Sequence, residues 1–238
     1  MSTASLDSLL IKYREGFHPV VDFDPFSDRL MPLNLSVEGG ELPYEESLDT
    51  DRFVAYMDRL RAQKQAKYLI GGYGELRGMY GRSELFDGEG EARRLHLGTD
   101  IWGEPGTPVY AFMGGMVHSF AFNDRLGDYG ATLILLHQLE GKAFYSLYGH
   151  IALKDIQHLN TGQYVNRGQE IAHFGQPVEN GYWPPHLHFQ LIEDIGLHDG
   201  DYPGVCRNTE KDYWLANSPD PDLVLNLNQY INSVSQSR

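Results

Sequence analysis

The sequence has little cysteine and little positive charge, and each shortage excludes some classes of structure or function. Cys206 is the one cysteine among 238 residues, so the chain can form neither an internal disulfide nor a cluster of thiolate metal ligands. Lysine and arginine number 19 against 33 aspartates and glutamates, which gives a formal net charge of −14. This acidity argues against a nucleic-acid partner and against an anionic membrane surface, because both need clustered basic residues.

Long apolar runs are also missing. No stretch approaches the roughly 18 apolar residues that a bilayer crossing needs, so we predict no membrane span. The first residues, MSTASLDSLLIKYREGF, have neither the basic region nor the continuous apolar region of a secretion signal. We therefore predict a cytoplasmic location. A hydrophobic content of 41% over this length is enough for one well-buried core.

Three regions of the chain differ in their residue patterns. Residues 1–69 hold two amphipathic helices, at 5–14 and in DTDRFVAYMDRLRAQKQAKY, around a Pro- and Asp-rich segment predicted to be extended or looped. Residues 70–195 hold short apolar runs such as TPVYAFM, ATLILLH and HLHFQLI, separated by Gly, Asn or Asp turns. Residues 196–238 are predicted to be a loop-rich tail packed on that domain. The predicted fold is mainly β: an antiparallel sheet forming a groove or sandwich, with a helical N-terminal extension.

Histidines and one aspartate lie at the edges of the predicted strands. WPPHLHFQL has His186 and His188 at i and i+2, so a strand directs both rings to one face. HLGTD has His96 and Asp100 four positions apart around a glycine, and LYGH ends a strand at His150. Imidazole and carboxylate suit zinc or another divalent ion, and a third ligand from the HxH would leave one position open for water.

The strand that ends at His150 is predicted from FYSLYGHIAL. Regular alternation directs Phe144, Ser146, Tyr148 and His150 to one face of this strand. The remaining histidines match no motif position and are expected to be surface or hydrogen-bonded strand residues; they include His118, His137, His158 and His173.

From His96 to Leu191 these motifs resemble the lysostaphin-like (LytM-type) zinc metallopeptidase family, the family of peptidoglycan endopeptidase domains. That family has, in order, HxxxD, APxGTPVxA, YxHL, GxxVxxGQxIGxxGxTG and PHLHFE. The corresponding segments here are HLGTD, EPGTPVYA, LYGHI, TGQYVNRGQEIAHFG and PPHLHFQ, in the same order and at comparable spacing. The resemblance implies a β-sheet metallopeptidase fold for this part of the chain.

The resemblance also implies a site and a reaction. It assigns His96, Asp100 and His188 as ligands of one zinc ion. It makes His186 the general base for a zinc-bound water that attacks a peptide carbonyl, and His150 the group that stabilises the oxyanion; imidazole chemistry suits both roles. The expected substrate is a peptidoglycan-type peptide, with a cytosolic peptide as a competitor because no leader is recognised.

The sequence departs from the family pattern near the HxH motif. The preceding loop, QPVENGYW, is longer than usual and carries Tyr182 and Trp183, and Gln190 stands where Glu is usual. Together with Tyr80 and Arg82 from the glycine-rich YLIGGYGELRGMYGRSELF, Tyr182 and Trp183 are candidate substrate-binding residues. Ordinary packing or turn roles are the alternative for all four.

Two other functions remain open at the level of the sequence. One is a non-catalytic binding module with the peptidase fold, although such descendants commonly lose ligand or base positions and all five are present here. The other is oxidative: HxH followed by Glu193 is similar to the cupin motif, and two histidines with a carboxylate describe the facial triad of non-haem iron enzymes. Neither oxidative alternative explains EPGTPVYA or His150.

Overall fold

The computed structural model describes residues 4–88 and 90–235. Its α-helices are α1 Leu6–Tyr13, α2 Tyr44–Ser47, α3 Thr50–Gln63, α4 Leu153–Ile156, α5 Lys211–Asn217, α6 Asp222–Leu225 and α7 Asn228–Ser235. Its strands are β1 Leu30–Pro32, β2 Tyr68–Gly71, β3 Leu95–His96, β4 Thr99–Trp102, β5 Pro108–Tyr110, β6 Gly115–Asn123, β7 Gly130–Leu139, β8 Lys142–Ile151, β9 Tyr164–Val165, β10 Glu170–His173, β11 His186–Ile192 and β12 Val205–Cys206.

A large sheet forms the centre of the molecule. Within the described ranges it has eight strands in the order β1-β2-β4-β11-β8-β7-β6-β9. β1 and β2 pair in parallel, and the other neighbouring strands pair antiparallel. Two short antiparallel ladders join β10 with β5 and β12 with β3. The prediction of a mainly β, largely antiparallel fold is confirmed.

Strand β11 shows how the sequence divides between the two faces of the sheet. Leu187 and Phe189 are fully buried in the main apolar core. His186 and His188 alternate with them and so point to the opposite face. Antiparallel pairing with β4 puts His188 directly opposite Asp100. Register is well specified here, because a slip of one residue would exchange the apolar and the histidine faces.

The N-terminal region contributes both helices and strands. Helices α1 and α3 occupy the two segments predicted to be helical. Asp49 caps α3 by accepting a 2.9 Å hydrogen bond from the Arg52 N–H, and Phe53 and Met57 bury the inner face of that helix. Strands β1 and β2 extend the main sheet beyond β4. The predicted boundary after residue 69 therefore falls within β2.

The C-terminal region pairs with the short strand that carries His96. Strand β12 pairs with β3, so that Val205 lies opposite His96. The predicted loop-rich tail also contains α5, α6 and α7. The division of the chain after residue 195 stays a prediction. Across the described residues, no helix combines the length and the apolarity that crossing a bilayer requires.

Candidate metal centre

Three polar side chains from β3, β4 and β11 converge on one point. Asp100 Oδ1 lies 3.3 Å from His96 Nε2 and 3.1 Å from His188 Nδ1, and the two nitrogens are 2.9 Å apart. All three residues are at most 2% exposed. Among the described residues these three form the group of His, Cys, Asp or Glu side chains that could hold a metal ion.

The outer nitrogens of the two histidines are already occupied by acceptors. His96 Nδ1–H donates to the Gly72 carbonyl oxygen at 3.1 Å, and His188 Nε2–H donates to Gln190 Oε1 at 3.0 Å. The inner nitrogens therefore carry lone pairs, which face each other and the Asp100 carboxylate without an intervening hydrogen. Three converging acceptors repel one another unless a cation lies between them. Their separations are close to the edge of about 3.3 Å expected for a tetrahedral zinc site, so these residues fit the metal that the family resemblance implies.

The electrostatics of this group favour a charged Asp100 carboxylate beside a neutral His96 imidazole. Burial alone would raise the pKa of Asp100, but His96 and the Arg77 guanidinium lower it well below its usual range. Burial, with Arg77, lowers the pKa of His96 to about 4. Both shifts leave deprotonated ligand atoms at neutral pH, as metal binding requires.

Gly98 explains why the HLGTD motif has a glycine between its two ligands. A Cβ built at this position would lie 2.4 Å from His188 Cε1 and 2.8 Å from the Phe189 carbonyl oxygen. Only glycine lets the backbone between His96 and Asp100 approach the His188 ring so closely. The spacing of the ligands therefore depends on a residue that binds nothing itself.

His186 adjoins the three ligands with one free nitrogen. Its ring stacks on Trp102 with centroids 3.8 Å apart and an interplanar angle of 12°. Its Nδ1–H donates to the Pro184 carbonyl oxygen at 2.8 Å, so Nε2 carries the lone pair, 3.9 Å from Asp100 Oδ1. Burial lowers the pKa of His186 to about 4, and the Asp100 charge opposes this effect. The ring is therefore neutral at pH 7.

His150 lies against His186 and has the same tautomer. The two ring centroids are 4.2 Å apart. His150 Nδ1–H donates to the Asn180 carbonyl oxygen at 2.8 Å, which leaves Nε2 as an acceptor. Burial, followed by the neighbouring charge of a protonated His186, lowers the pKa of His150 well below its usual value. Two neutral imidazoles thus stand beside the three ligand atoms.

The prediction that Phe144, Ser146, Tyr148 and His150 share one face is wrong for its last residue. The β7–β8 ladder shifts register between Tyr148 and Ile151, where β8 has one residue more than β7. His150 also adopts a φ of +63°. Such a bulge reverses the alternation and redirects one side chain. As a result His150 faces the ligand group, while Phe144, Ser146 and Tyr148 face the apolar core.

A cavity of about 140 Å³ adjoins the ligand group, and the candidate substrate residues relate to it differently. Tyr80 and Trp183 line its wall together with the site histidines. Arg82 does not line it: Arg82 lies 5.1 Å above the Trp183 ring and donates to Thr50 Oγ1 at 2.9 Å. Tyr182 also lies outside the wall and is 37% exposed.

Three residues contact this group in ways that sequence reasoning missed. Arg77 donates to Asp100 Oδ2. Gln190, noted only as a departure from the family pattern, accepts from His188. Tyr129 has its hydroxyl 3.4 Å from His188 Nε2, and burial keeps its pKa well above the usual value. Arg77 and Tyr129 lie in a glycine-rich loop and a hairpin loop, where no periodicity indicates which direction a side chain takes.

Glu193, the third ligand that a cupin-type site would need, lies apart from the histidines. Its carboxylate pairs with the Lys142 ammonium, and its backbone N–H donates to the Asn217 carbonyl oxygen at 2.8 Å. Among the described residues it does not belong to the metal-binding group. This geometry does not support the cupin alternative.

Comparison with known proteins identifies the segment that carries these residues. Residues 94–199 match the model of Peptidase family M23. An L-Ala–D-Glu endopeptidase of Bacillus subtilis (strain 168) is 32% identical over 109 residues, which make up 44% of this chain and 31% of that protein. The chain thus spans about a third of the length of the curated relative it matches.

Solved structures with detectable similarity include two peptidases. The catalytic domain of lysostaphin from Staphylococcus simulans is 20% identical, with 68% of this chain and 96% of that chain covered and a TM-score of 0.40. A zinc-containing peptidase from Vibrio cholerae is 31% identical, with 41% and 27% covered and a TM-score of 0.34. The family match covers the same stretch of chain as the quoted motifs, so the resemblance of this segment to the lysostaphin-like family of peptidases is confirmed.

Proposed function

We propose that the protein is a zinc-dependent metallopeptidase that hydrolyses an amide bond in a peptidoglycan-type peptide. One observation carries this proposal: His96 Nε2, Asp100 Oδ1 and His188 Nδ1 converge as acceptors, with no donor among them. A buried group of this kind is unfavourable without a cation and favourable with one. Bound zinc would polarise a carbonyl and lower the pKa of a water at the open position.

His186 is proposed as the general base. Its Nδ1 is committed to the Pro184 carbonyl oxygen, and its Nε2 is directed toward the ligand group with a free lone pair. Stacking on Trp102 fixes the ring plane, so the nitrogen is held in position before a substrate arrives. In this role Nε2 takes a proton from a water in the cavity and later gives it to the leaving amine.

His150 is proposed to act on the carbonyl oxygen, and this role requires a change of protonation. In the free protein its Nδ1–H donates to the Asn180 carbonyl oxygen, so its Nε2 can only accept. Donation to an oxyanion needs a second proton on that ring, and solvent in the cavity that His150 lines would supply it. Negative charge that develops on the substrate favours such protonation, because an adjacent anion raises an imidazole pKa. His150 therefore strengthens its interaction as the oxyanion forms.

The proposed substrate class comes from the relatives and from the form of the site. The relative from Bacillus subtilis is an L-Ala–D-Glu endopeptidase, so peptides with that bond stand first in a substrate panel. The cavity beside the ligands is small and has aromatic walls at Tyr80 and Trp183, which suits a short peptide segment. Cytosolic peptides form the second part of the panel, because the predicted cytoplasmic location stays a prediction.

Metal content is the first test. Protein purified without added metal is analysed by inductively coupled plasma mass spectrometry, beside His96→Ala. About one zinc per chain, lost in the variant, is the result expected of a three-ligand site. Iron or manganese at that ratio would replace the hydrolytic proposal with an oxidative one. No metal, even after reconstitution, would leave a binding module with a peptidase fold.

Turnover is the second test. Muropeptides and short peptides are incubated with the zinc-loaded protein, and new amino termini are identified by mass spectrometry. Cleavage by the wild type but not by zinc-loaded His186→Ala supports the proposal. A zinc-loaded wild type that cleaves no peptide of either set, yet binds one of them, would overturn the catalytic assignment.

A further inference from the structure

Arg77 is a buried arginine that contacts the proposed metal ligand Asp100 through Oδ2, the carboxylate oxygen that Asp100 does not direct at the histidines. The side chain is 0% exposed. Its Nη1 donates to Asp100 Oδ2 and to the Tyr80 hydroxyl at 3.3 Å, and its Nε donates to Glu75 Oε2 at 2.6 Å. A buried charge is costly unless it is paired, and here two carboxylates surround one guanidinium. The arrangement is therefore a built ion-pair network and not a chance contact.

The network determines which oxygen of Asp100 faces the other ligands. Arg77 engages Oδ2, while Oδ1 lies 3.1 Å from His188 Nδ1 and 3.3 Å from His96 Nε2. A carboxylate with both oxygens free can bind a metal through both of them. Such binding would fill the position that a hydrolase needs for water or for the substrate carbonyl.

From these contacts we infer that Arg77 is a positioning residue that keeps Asp100 a one-oxygen ligand and so keeps the fourth coordination position open. The inference rests on the zinc site of the proposed function. Arg77 does not touch the reacting atoms and acts through Asp100. Its positive charge also withdraws electron density from the carboxylate, which makes a bound metal more acidic.

Backbone hydrogen bonds hold Arg77 in this position. The Arg77 N–H donates to the Arg94 carbonyl oxygen at 2.9 Å, and the His96 N–H donates to the Glu75 carbonyl oxygen at 2.9 Å. Glu75 Oε1 in turn accepts from the Leu35 N–H at 2.8 Å. The glycine-rich segment is thus joined to the strand that carries His96, and its arginine cannot move independently of the ligands. This segment lies before residue 94, where the M23 match begins.

The test separates the charge of Arg77 from its geometry in the full chain. Zinc affinity is measured by competition with a chelator, and coordination is read from the visible absorption of the cobalt(II)-substituted protein. Arg77→Met removes both properties. We expect zinc to bind about tenfold tighter, because a nearby positive charge is lost, while the cobalt absorption weakens as Asp100 contributes its second oxygen.

Two further variants make the expected pattern specific. Glu75→Gln leaves the Arg77 charge less compensated, so zinc should bind about tenfold more weakly. Arg77→Lys keeps the charge but not the planar fork, so affinity should stay close to wild type while the cobalt absorption falls. Arg59→Met is the control for net charge: it removes an arginine of α3 that contacts no ligand and does not line the cavity, and neither measurement should change.

Circular dichroism and thermal melting establish that each variant is folded. A folded Arg77→Met with wild-type zinc affinity and an unchanged cobalt spectrum would overturn the inference. If that variant does not fold, Arg77→Lys and Glu75→Gln decide: wild-type behaviour in both also overturns it. If the wild type binds zinc and the variants have the same zinc affinity and cobalt absorption, only this inference is overturned. A wild type that binds no zinc defeats the proposed function as well.

Discussion

The buried cluster around His137 and the cluster of site histidines lie on opposite sides of the main sheet, and they differ in how the histidine nitrogens are satisfied. On the core face, His137 Nδ1–H donates to the Gly114 carbonyl oxygen at 3.0 Å, and its Nε2 accepts from the Ser146 hydroxyl at 2.7 Å. Both nitrogens therefore have complementary partners. On the other face, His96 and His188 each have one satisfied nitrogen and one lone pair directed at Asp100.

Burial and residue type do not distinguish these clusters. His137 is 1% exposed and His188 is 2% exposed, and burial lowers the pKa of His137 to about 4, as it does for His96. What differs is complementarity: one cluster is a closed hydrogen-bond network, and the other consists of acceptors only. A closed network stabilises the fold, whereas converging acceptors destabilise it until a cation binds. A metal site is indicated by acceptor atoms that converge without a donor between them, more than by the number of histidines.

The largest expected effect comes from replacing one histidine of each cluster by alanine. His188→Ala should weaken zinc binding more than about 100-fold, because one of three ligands is lost. In the metal-free protein it should cost little stability, since it removes a repelling lone pair. His137→Ala should keep zinc and lower the free energy of unfolding by about 2 kcal/mol, because Ser146 and Gly114 lose their partner. Chelator competition and urea unfolding measure the two quantities, and equal stability losses in both variants would refute the contrast.

Replacing His186 tests whether the two histidines of the HxH motif have different roles, one as a base and one as a ligand. His186→Ala should keep zinc and reduce turnover by about 10²–10⁴-fold, the usual loss when a general base is removed. The measurement pairs zinc content with peptide cleavage on the same preparation. His118→Ala is the matched control, because this half-buried strand histidine lies outside the cavity wall. Loss of zinc in His186→Ala would mean that the roles within the HxH are assigned wrongly.

Replacing Gln190 should have a smaller effect, again on zinc affinity. Its amide N–H groups donate to the Pro203 carbonyl oxygen at 3.2 Å and to Ser218 Oγ at 3.0 Å, which turns Oε1 toward His188. Gln190→Leu removes the acceptor that fixes the His188 tautomer, so zinc affinity should fall about 10–100-fold. Gln190→Glu keeps an acceptor for His188 and should keep zinc. Its second oxygen would face Pro203, however, and the melting temperature should fall. Equal zinc affinity in both variants would exclude this role.

Much of the fold could be predicted from the sequence, because local patterns determine it. The alternation of β11 and the helical periodicity of α1 and α3 are properties of consecutive residues. The parallel pairing of β1 with β2 is different: residues 30–32 lie in a segment predicted to be extended or looped, and their partners lie at 68–71. Pairing across that distance depends on tertiary packing, which no local pattern encodes.

The candidate ligands were assigned from motifs, but their surroundings could not be. Register between β4 and β11 brings His188 opposite Asp100, and the alternation of β11 already indicates the face. His150 escaped the alternation because one extra residue in β8 redirects it. The role of Arg77 depends on a contact between distant segments. Gln190 shares the face of His186 and His188 by alternation, but the orientation of its amide depends on the more distant Pro203 and Ser218. A polar side chain that can point either into a site or away from it gives no sequence signal of which it does.

The smallest expected effect concerns Asp128, a half-buried carboxylate in the cavity wall. Burial raises its pKa from 3.8 to about 6. The folded state therefore binds the proton more tightly than the unfolded state, and this contribution to stability is lost as pH rises from 3.8 to about 6. Above that range the charged carboxylate destabilises the fold.

Asp128→Asn should therefore stabilise the metal-free protein by about 1 kcal/mol at pH 8, a value reduced because the group is partly exposed, and by less at pH 4.5. Asn keeps the acceptor for the Tyr129 N–H, which Asp128 Oδ1 holds at 2.8 Å. Asp124→Asn, an exposed change in the same hairpin loop, controls for net charge. Urea unfolding at the two pH values measures the difference, and equal stabilisation at both would contradict the prediction. Removing a charge from the cavity wall would then stabilise the fold, whereas removing His137 from the core destabilises it. A binding site retains groups that the fold alone does not favour.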